Sequence, residues 1–429
     1  MNKEEIRNRI SELVTQYYGS EKRGFVPGKT RIGVGAPVYD DKEVMHVIDS
    51  LFSGWISQSR NVADLERDYA AYHGVKYAVA LNSGSSANLI ALLALIESGK
   101  IKQGSEVIVP ATTFPTVASP IIQLGLKPVF VDVDGASFNL DPEAVRSAIT
   151  AKTSVIMPAH FLGYPADMEQ MVQIAREHSL HIIEDCCEAH GARFRGKLVG
   201  TFGDMGTYSF FVAHNITCGE GGMIITDNAE YYELARSLRA FGRACTCPIC
   251  LVTQGKPCKL RDFHDPVLAN YNIRQVFLRL GYALKMTEMQ AAFCIEQLKK
   301  LDNFNSQRTE NAEFYTEHIR SGHLQLPAAG AGIAHAYYGY AIVIRKDAPF
   351  SRDQFVKHLE DRRVETRPFF GGSLPDQPAF RNQDIKIAGK LPNSDWVRDY
   401  GVFIGCHPGI GKEERQYVVD VIRSFTSQY

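Results

Sequence analysis

Short aliphatic and β-branched runs alternate with longer amphipathic stretches along most of the chain, and that alternation predicts strands and helices in turn. Lys3 to Tyr18 reads as a helix, followed by an extended arm through Phe25-Val26-Pro27-Gly28. Strand patterns fall at Lys76 to Leu81, Ser105 to Pro110, Pro128 to Val133, Ser154 to Pro158 and His181 to Asp185. Between them lie a strongly apolar helix, Ser85 to Glu97, and helices at Pro115 to Leu124, Pro142 to Thr150 and Met168 to His178. Gly206 to Phe211 and Gly222 to Thr226 add strands, and Glu230 to Phe241 a helix. Such alternation predicts an α/β fold, with a large and mostly parallel sheet covered by helices on both faces.

The pattern then breaks. Residues 243–275 are irregular and rich in Pro, Asp and Asn, and read as an insertion that ends before a long helix, Thr287 to Leu301. A second unit comes next, with helix Glu310 to Arg320, strand Tyr337 to Ile344, helix Arg352 to Arg362 and terminal helix Glu413 to Ser424. The expected division is 1–34 (helix and arm), 35–303 (large sheet unit carrying the insertion) and 304–429 (smaller C-terminal α/β unit). No internal repeat or low-complexity tract interrupts it.

Composition narrows the function classes. The 429 residues are 45% hydrophobic and 22% charged, ordinary for a soluble globular protein with a substantial core. A formal net charge of -1 provides no electrostatic case for nucleic acid or an anionic membrane. Met1-Asn2-Lys3-Glu4-Glu5-Ile6-Arg7 lacks the apolar core of a secretory signal, and no apolar run is long enough to span a bilayer. The cytoplasm is the expected location. Four of the nine cysteines, Cys245, Cys247, Cys250 and Cys258, lie within fourteen residues. In a reducing compartment that clustering favours a metal site, zinc or iron–sulfur, over disulfides.

Candidate chemistry collects where predicted strands end. Ligands of open α/β sheets sit beyond the carboxyl ends of strands, often at a helix amino terminus. The turn Asn82-Ser83-Gly84-Ser85-Ser86-Ala87 suits a phosphate there, through backbone N–H groups and the Ser85 and Ser86 hydroxyls, with Ser209 adding another. In isolation such a turn is more often a plain helix cap. Ile182-Ile183-Glu184-Asp185 ends a strand with a carboxylate able to pair with a pyridinium nitrogen, though an Asp there also serves as a simple cap. Phe114, in Thr112-Thr113-Phe114-Pro115-Thr116, is placed to stack on a flat ring or to pack in the core.

In order and spacing these pieces resemble the DegT/DnrJ/EryC1/StrS sugar aminotransferases over about residues 30–429. The segments "NSGSSANL", "TTF", "IIED", "NITCGEGGM" and "LGYALKMTEMQAA" all stand in register. The resemblance implies the fold type I pyridoxal-phosphate architecture and a homodimer with active sites at the subunit interface. It also implies that 35–303 binds the cofactor, through Gly84, Ser85, Ser86, Phe114, Asp185, Glu188 and Ser209. His214, before Asn215, occupies the place where the family's lysine forms a Schiff base. Imidazole has no primary amine and cannot form that imine, but it moves protons near neutral pH.

One branch is the closer likeness, the NDP-4-keto-6-deoxyhexose 3-dehydratases, which carry His for Lys. Its iron–sulfur members, of the CDP-4-keto-6-deoxyglucose type, space cysteines as C-x-C-x2-C-x7-C, the spacing of Cys245, Cys247, Cys250 and Cys258. They also place a cysteine upstream, where Cys187 stands 58 positions before Cys245. This likeness implies pyridoxamine 5'-phosphate as cofactor, a [2Fe–2S] cluster on the four clustered thiolates, and a nucleotide-linked 4-keto-6-deoxy sugar as substrate. His214 would act as the base for C3 dehydration. A separate NAD(P)H-dependent flavin or iron–sulfur reductase would supply electrons, and neither nucleic acid nor membrane is an expected partner.

Departures are specific. Glu188 stands where the branch has Asp, Phe211 where it has Tyr, and Tyr338 where it has Phe. Ala283 replaces the Asn of a Gly-Tyr-Asn motif that reaches the partner subunit's phosphate, so that contact is not expected here. Ser373 and Asp376 replace the usual Asn and Arg in a segment expected to border the sugar nucleotide. Three rivals remain: an ordinary aminotransferase, a cluster-free dehydratase whose pyridoxamine is regenerated by glutamate, and a silent sensor that kept the fold. The first lacks its lysine, since Lys197 and Lys285 lie outside the motif, and the second leaves the cysteine set without a use.

Overall fold

The computed structural model describes residues 1–20, 24–258, 260, 263, 265–268, 271–328 and 330–429. Part of the predicted arm (21–23) and positions 259, 261, 262, 264, 269 and 270 of the predicted insertion lie outside the described residues.

Eight strands form the main sheet, in the order Tyr77–Leu81, Gly222–Thr226, Met205–Ser209, His181–Asp185, Thr153–Ile156, Glu106–Pro110, Lys127–Val131 and Lys386–Ile387. Gly222–Thr226 is antiparallel to both neighbours, and the remaining pairs are parallel. These strands are Val/Ile-rich because both faces are covered. The two-residue side-chain period divides them between two helix layers. Val79 and Leu81 pack with helices Gly84–Glu97, Pro115–Gln123 and Ala229–Leu238, whereas Ala78 and Ala80 pack with Arg60–His73 and Glu288–His318. Farther along the sheet, Val129 and Val131 meet helices Pro142–Ala148 and Met168–His178. The predicted α/β architecture, a large mostly parallel sheet with a smaller C-terminal α/β layer, is the one observed.

The C-terminal layer is an antiparallel sheet in the order Leu324–Gln325, Tyr340–Ile344, Gly401–Ile404, Thr366–Pro368. Its core holds Phe355, Leu359, Val419 and Ile422 from helices Arg352–Asp361 and Lys412–Thr426. It is laced back to the large sheet, since Lys386–Ile387 pairs in parallel with Lys127–Val131. The Asp132 carboxylate also receives the N–H groups of Asn393 (3.0 Å) and Ser394 (2.8 Å), at the start of helix Pro392–Tyr400. A carboxylate there satisfies orphan donors and opposes the positive helix end.

One expectation changes. Thr287 to Leu301 and Glu310 to Arg320 are not two helices but parts of one, Glu288–His318, which runs straight through the predicted unit boundary at 303/304. The helix begins with a Thr287/Gln290 capping box. Its first half packs on the large sheet and its last turns on the small one. Helices Asp41–Phe52 and Arg60–His73, unread in the sequence, fill the stretch between the arm and the first strand. No described helix is long and apolar enough to cross a membrane.

Candidate active site

Strand ends bring the candidate residues together. Asn82 follows Leu81, Phe114 stands four residues beyond Pro110, and Asp185 and Ser209 are the last residues of neighbouring parallel strands. All lie on the carboxyl edge of the sheet, where a ligand is expected.

At the turn, Ser83 caps helix Gly84–Glu97 by accepting from the Ser86 N–H (3.1 Å). The Ser86 hydroxyl is paired with that of Ser83 (2.9 Å), so it is already partly committed, while Ser85 is exposed at the helix start. Gly84 needs its missing side chain. A Cβ there would stand 2.5 Å from Ser209 Cβ and 2.8 Å from Cys187 Sγ. Gly222 is equally constrained, because a Cβ would collide with the Ser83 carbonyl oxygen. The Ser83–Ser86 turn, Ser209 and Cys187 therefore meet in one place.

Asp185 is buried and held from both sides. Its Oδ2 accepts from Asn88 Nδ2 (2.7 Å) and its Oδ1 from the Cys187 N–H (3.0 Å). Asn88 is oriented in turn by donating to the Thr116 carbonyl (3.1 Å) and accepting from Thr207 Oγ1 (2.6 Å). Asn88 lies in the "NSGSSANL" segment, but the resemblance attaches no role to it. Its signal is an amide, fully buried, on an otherwise apolar helix. Phe114 keeps 53% of its surface exposed, with one edge-on neighbour, Phe370 at 6.2 Å, so its ring does not pack away in the core.

His214 lies beyond Ser209 in a tight turn, its N–H donating to the Phe211 carbonyl (3.0 Å). Nδ1 is buried and has no hydrogen-bond partner among the described residues. Burial drives its pKa well below the ordinary histidine value, and the neighbouring His190 and Arg308 push the same way. The imidazole is accordingly neutral at physiological pH and able to accept a proton. His190 has no such freedom, since its nitrogens engage Tyr69 Oη (2.9 Å) and the Ser209 carbonyl (2.7 Å). The following Asn215 donates to the Ala336 carbonyl (2.7 Å) and to Asn305 Oδ1 (2.9 Å), which fixes the turn that presents His214.

Glu188 is a second acid, three residues after Asp185. Burial pushes its carboxyl well up; the Leu162 N–H (2.9 Å) offsets this in part and the Asp185 charge adds to it. Ser373 is buried, and Asp376 is held by Arg398 (2.5 Å), so this segment docks by its backbone, Leu374 N–H to the Ala111 carbonyl (2.8 Å).

The cysteine segment leaves and rejoins the fold at one base. Phe241 N–H donates to the Tyr282 carbonyl (2.8 Å), Tyr282 N–H to Leu238 (2.7 Å), and Ala244 N–H to Val276 (2.9 Å). The base is continuous with the turn that opens helix Gly84–Glu97, because Asn82 N–H donates to the Leu284 carbonyl (3.0 Å). Gly281 and Gly242 permit the close approach; a Cβ on either would overlap backbone of the opposite arm. A buried ion cluster anchors the start. Glu66 accepts from Arg236 (2.9 Å) and Arg239 (2.6 Å), and Arg236 Nε also donates to the carbonyl of Thr246, between Cys245 and Cys247. Cys245, Cys247, Cys250 and Cys258 are all half-buried. Cys187 lies at Gly84, beside the Ser83–Ser86 turn.

Among the described residues, one set of three potential metal-ligating atoms is compact, that of His160, Glu184 and Cys186. Its acceptors are already used: Glu184 takes the N–H groups of Gly200 (2.7 Å), Phe202 (2.7 Å) and Gly203 (2.8 Å), and His160 Nδ1 that of Ala166 (3.0 Å). This set braces the sheet.

Residues 37–423 match the model of the DegT/DnrJ/EryC1/StrS aminotransferase family. A dTDP-4-dehydro-2,6-dideoxy-D-glucose 3-dehydratase of Saccharopolyspora spinosa is 38% identical over 99% of this chain and 93% of that protein. The lipopolysaccharide biosynthesis protein RfbH of Salmonella typhimurium is 36% identical over 99% of both. Among solved structures, the E. coli GDP-4-keto-6-deoxy-D-mannose-3-dehydratase with bound hydrated pyridoxal phosphate superimposes with a TM-score of 0.83 at 31% identity, covering 91% of this chain and 99% of that one. With a carboxyl-edge site of the expected residues and likeness along nearly its whole length, this chain belongs to the DegT/DnrJ/EryC1/StrS aminotransferase family.

Proposed function

We propose that this chain is a dehydratase that removes the C3 hydroxyl of a nucleotide-linked 4-keto-6-deoxyhexose, with pyridoxamine 5'-phosphate as its cofactor. His214 carries the reading: a half-buried imidazole, whose buried Nδ1 has no hydrogen-bond partner among the described residues, stands where a transaminating member has its lysine. The residues fit the cofactor, since Gly84 leaves open a cradle that a single methyl would fill. When bound, the cofactor supplies an electron sink for elimination. The N–H groups at the start of helix Gly84–Glu97, with Ser85, Ser86 and Ser209, would hold its phosphate. Asp185, fixed by Asn88, would pair with the ring nitrogen, and Phe114 would cover the ring face. His214 would serve as the proton-accepting base and then return the proton to the departing C3 oxygen. Glu188, whose carboxyl burial pushes up while the Leu162 N–H holds it, would add a further hydrogen-bonding group for bound ligand.

The reading extends to a [2Fe–2S] centre on Cys245, Cys247, Cys250 and Cys258. A one-electron carrier fits the two-electron reduction that comes after dehydration, fed by an NAD(P)H-dependent reductase. In support, the cysteine segment is anchored to the residue preceding Ser83 of the phosphate turn. At 99% coverage, the matches to the Saccharopolyspora and Salmonella proteins also run through this segment. A homodimer in the cytoplasm completes the proposal; the exposed apolar side chains of Trp55, Ile56, Phe277, Leu278 and Leu280 border the segment's base and the start of the long helix, and suit a second copy. CDP-4-keto-6-deoxyglucose is the favoured substrate.

Two measurements test this. Replacing His214 by Asn keeps polarity but removes the base, and is expected to abolish deuterium exchange at the methylene of bound pyridoxamine phosphate, read by NMR; retained exchange refutes the assignment. Protein purified without oxygen should show visible iron–sulfur absorbance and turn over one of a panel of CDP, dTDP and GDP 4-ketosugars only with a reductase. Zinc alone, or turnover driven by glutamate, removes the cluster from the proposal.

A further inference from the structure

The backbone of Phe114 is fixed, but its side chain is barely held. Its carbonyl accepts from Val117 N–H (3.1 Å) at the start of helix Pro115–Gln123. Its ring makes one ring contact among the described residues, edge-on with Phe370 at 6.2 Å and 87°. Phe370 comes from the opposite side of the site. It follows strand Thr366–Pro368 of the C-terminal sheet by two residues, so the contact joins the two layers.

Phe370, by contrast, is clamped. Its ring is half-buried against two buried rings, Phe161 (5.5 Å between centroids) and Phe403 (5.8 Å). The loop beneath it is tied at three points. Gly372 N–H donates to the Phe369 carbonyl (2.7 Å), Gln377 Nε2 to the Gly371 carbonyl (2.7 Å), and Leu374 N–H to the Ala111 carbonyl (2.8 Å). Ala111 lies three residues before Phe114, so the last bond links this loop to the segment that carries the Phe114 ring.

The backbone at Phe370 is also strained. Its φ is 40°, in the left-handed region where Cβ crowds the following carbonyl oxygen. Gly371 and Gly372 come next and could take such a turn without that penalty. Gly372 does take it, with φ of 64°, yet the turn begins at a phenylalanine. Strain of this kind persists only where surrounding contacts hold it, and it marks places where a side chain is needed in one position. Here that position is the edge of the Phe114 ring.

We propose that Phe370 is a positioning residue that props the Phe114 ring, from the C-terminal layer, in the orientation that covers the cofactor's ring face. The proposal deepens the pyridoxamine phosphate reading and rests on it. An exposed phenylalanine free to rotate covers a flat ring only part of the time. A perpendicular neighbour removes that freedom before the cofactor arrives, so affinity gains without Phe370 touching the cofactor.

The test titrates cofactor-stripped native protein, Phe114→Leu, Phe370→Leu, the double variant and Phe370→Tyr with pyridoxamine 5'-phosphate, followed by absorbance. Leucine keeps the apolar bulk and the left-handed strain but has no ring. Phe370→Leu should bind roughly three- to tenfold more weakly than native, the worth of an edge-on aromatic pair, and Phe370→Tyr within about twofold of native. In the Phe114→Leu background the same Phe370→Leu change should alter affinity by less than about 1.5-fold, because no ring is left to prop. An equal loss in both backgrounds means that Phe370 acts only on the fold and overturns the proposal, as does native-like binding by Phe370→Leu. Crystal structures of the stripped proteins give a reading that needs no cofactor, with one Phe114 rotamer in native and more than one in Phe370→Leu. An unchanged ring there overturns the proposal. If native protein does not bind pyridoxamine phosphate, or Phe114→Leu binds as tightly as native, the cofactor reading fails instead, and the stripped structures still decide the role of Phe370.

Discussion

Gly84→Ala is the sharpest probe of the cofactor turn. A methyl at this position lies 2.5 Å from Ser209 Cβ and 2.8 Å from Cys187 Sγ, where carbon contacts prefer about 3.5–4.0 Å. Relief needs a displacement of about 1 Å, and neither neighbour yields easily. Ser209 ends a fully buried strand, and Cys187 follows the Asp185 carboxylate that its own N–H engages. The turn itself must move, away from Ser209 and out of line with the other phosphate donors. Overpacking of this kind costs about 1–3 kcal/mol. If that cost falls on the binding-competent arrangement, pyridoxamine phosphate should bind roughly 5- to 150-fold more weakly, at about 1.4 kcal/mol per decade. The assay is titration of cofactor-stripped protein, followed by absorbance, with Gly322→Ala as control because a Cβ there meets open space. Far-UV circular dichroism should be unchanged. Gly84→Ala protein that binds within about twofold of native would show that this turn does not cradle the phosphate.

Other outcomes stem from the same geometry. Glu66→Gln leaves Arg236 and Arg239, 3% and 1% exposed, without their counter-charge, a loss of about 3–5 kcal/mol readable by urea unfolding. The sign with pH is fixed: burial raises the Glu66 carboxyl, but Arg239, Arg236 and the Ala80 N–H outweigh it, so its folded pKa is lowered. Its stabilisation is present above the unfolded value of about 4.3 and fades as pH falls through the folded one, so the gap between native and Glu66→Gln should narrow below about pH 4. Gly281→Ala forces apart the base of the cysteine segment, and should lower iron content per chain, by metal analysis, well before it affects cofactor binding. Asn88→Ala strips Asp185 of a donor and leaves the Thr207 hydroxyl only its longer bond to the Glu184 carbonyl (3.2 Å). About 1–3 kcal/mol should appear as weaker pyridoxamine phosphate binding.

Where local pattern and global packing agree, the sequence was legible. Met168–His178, His181–Asp185 and Gly222–Thr226 match their predicted limits, because apolar periodicity and turn residues there point to the same element. The error at 302–309 is instructive. Asp302-Asn303-Phe304-Asn305-Ser306-Gln307 reads as a break because polar residues with poor helix propensity interrupt the apolar stripe. In the fold they keep helical geometry and use their side chains elsewhere. Asp302 accepts from Tyr72 Oη (2.6 Å), Asn305 donates to the His190 carbonyl (2.7 Å), and Arg308 holds the Tyr338 loop. They look like a loop because they are spent on the site.

By itself the sequence determined the kind of chemistry: a histidine before Asn215, a carboxylate at a strand end, a glycine-serine turn and four spaced cysteines are properties of residue type and order. Tertiary structure decided which of these groups are free to act. Ser86 and Glu184 carry suitable atoms but have them paired, whereas His214 Nδ1 has no partner among the described residues and Tyr338 is brought to its side from a distant loop. Residue order cannot convey this, because hydrogen-bond satisfaction and desolvation depend on neighbours that only folding supplies.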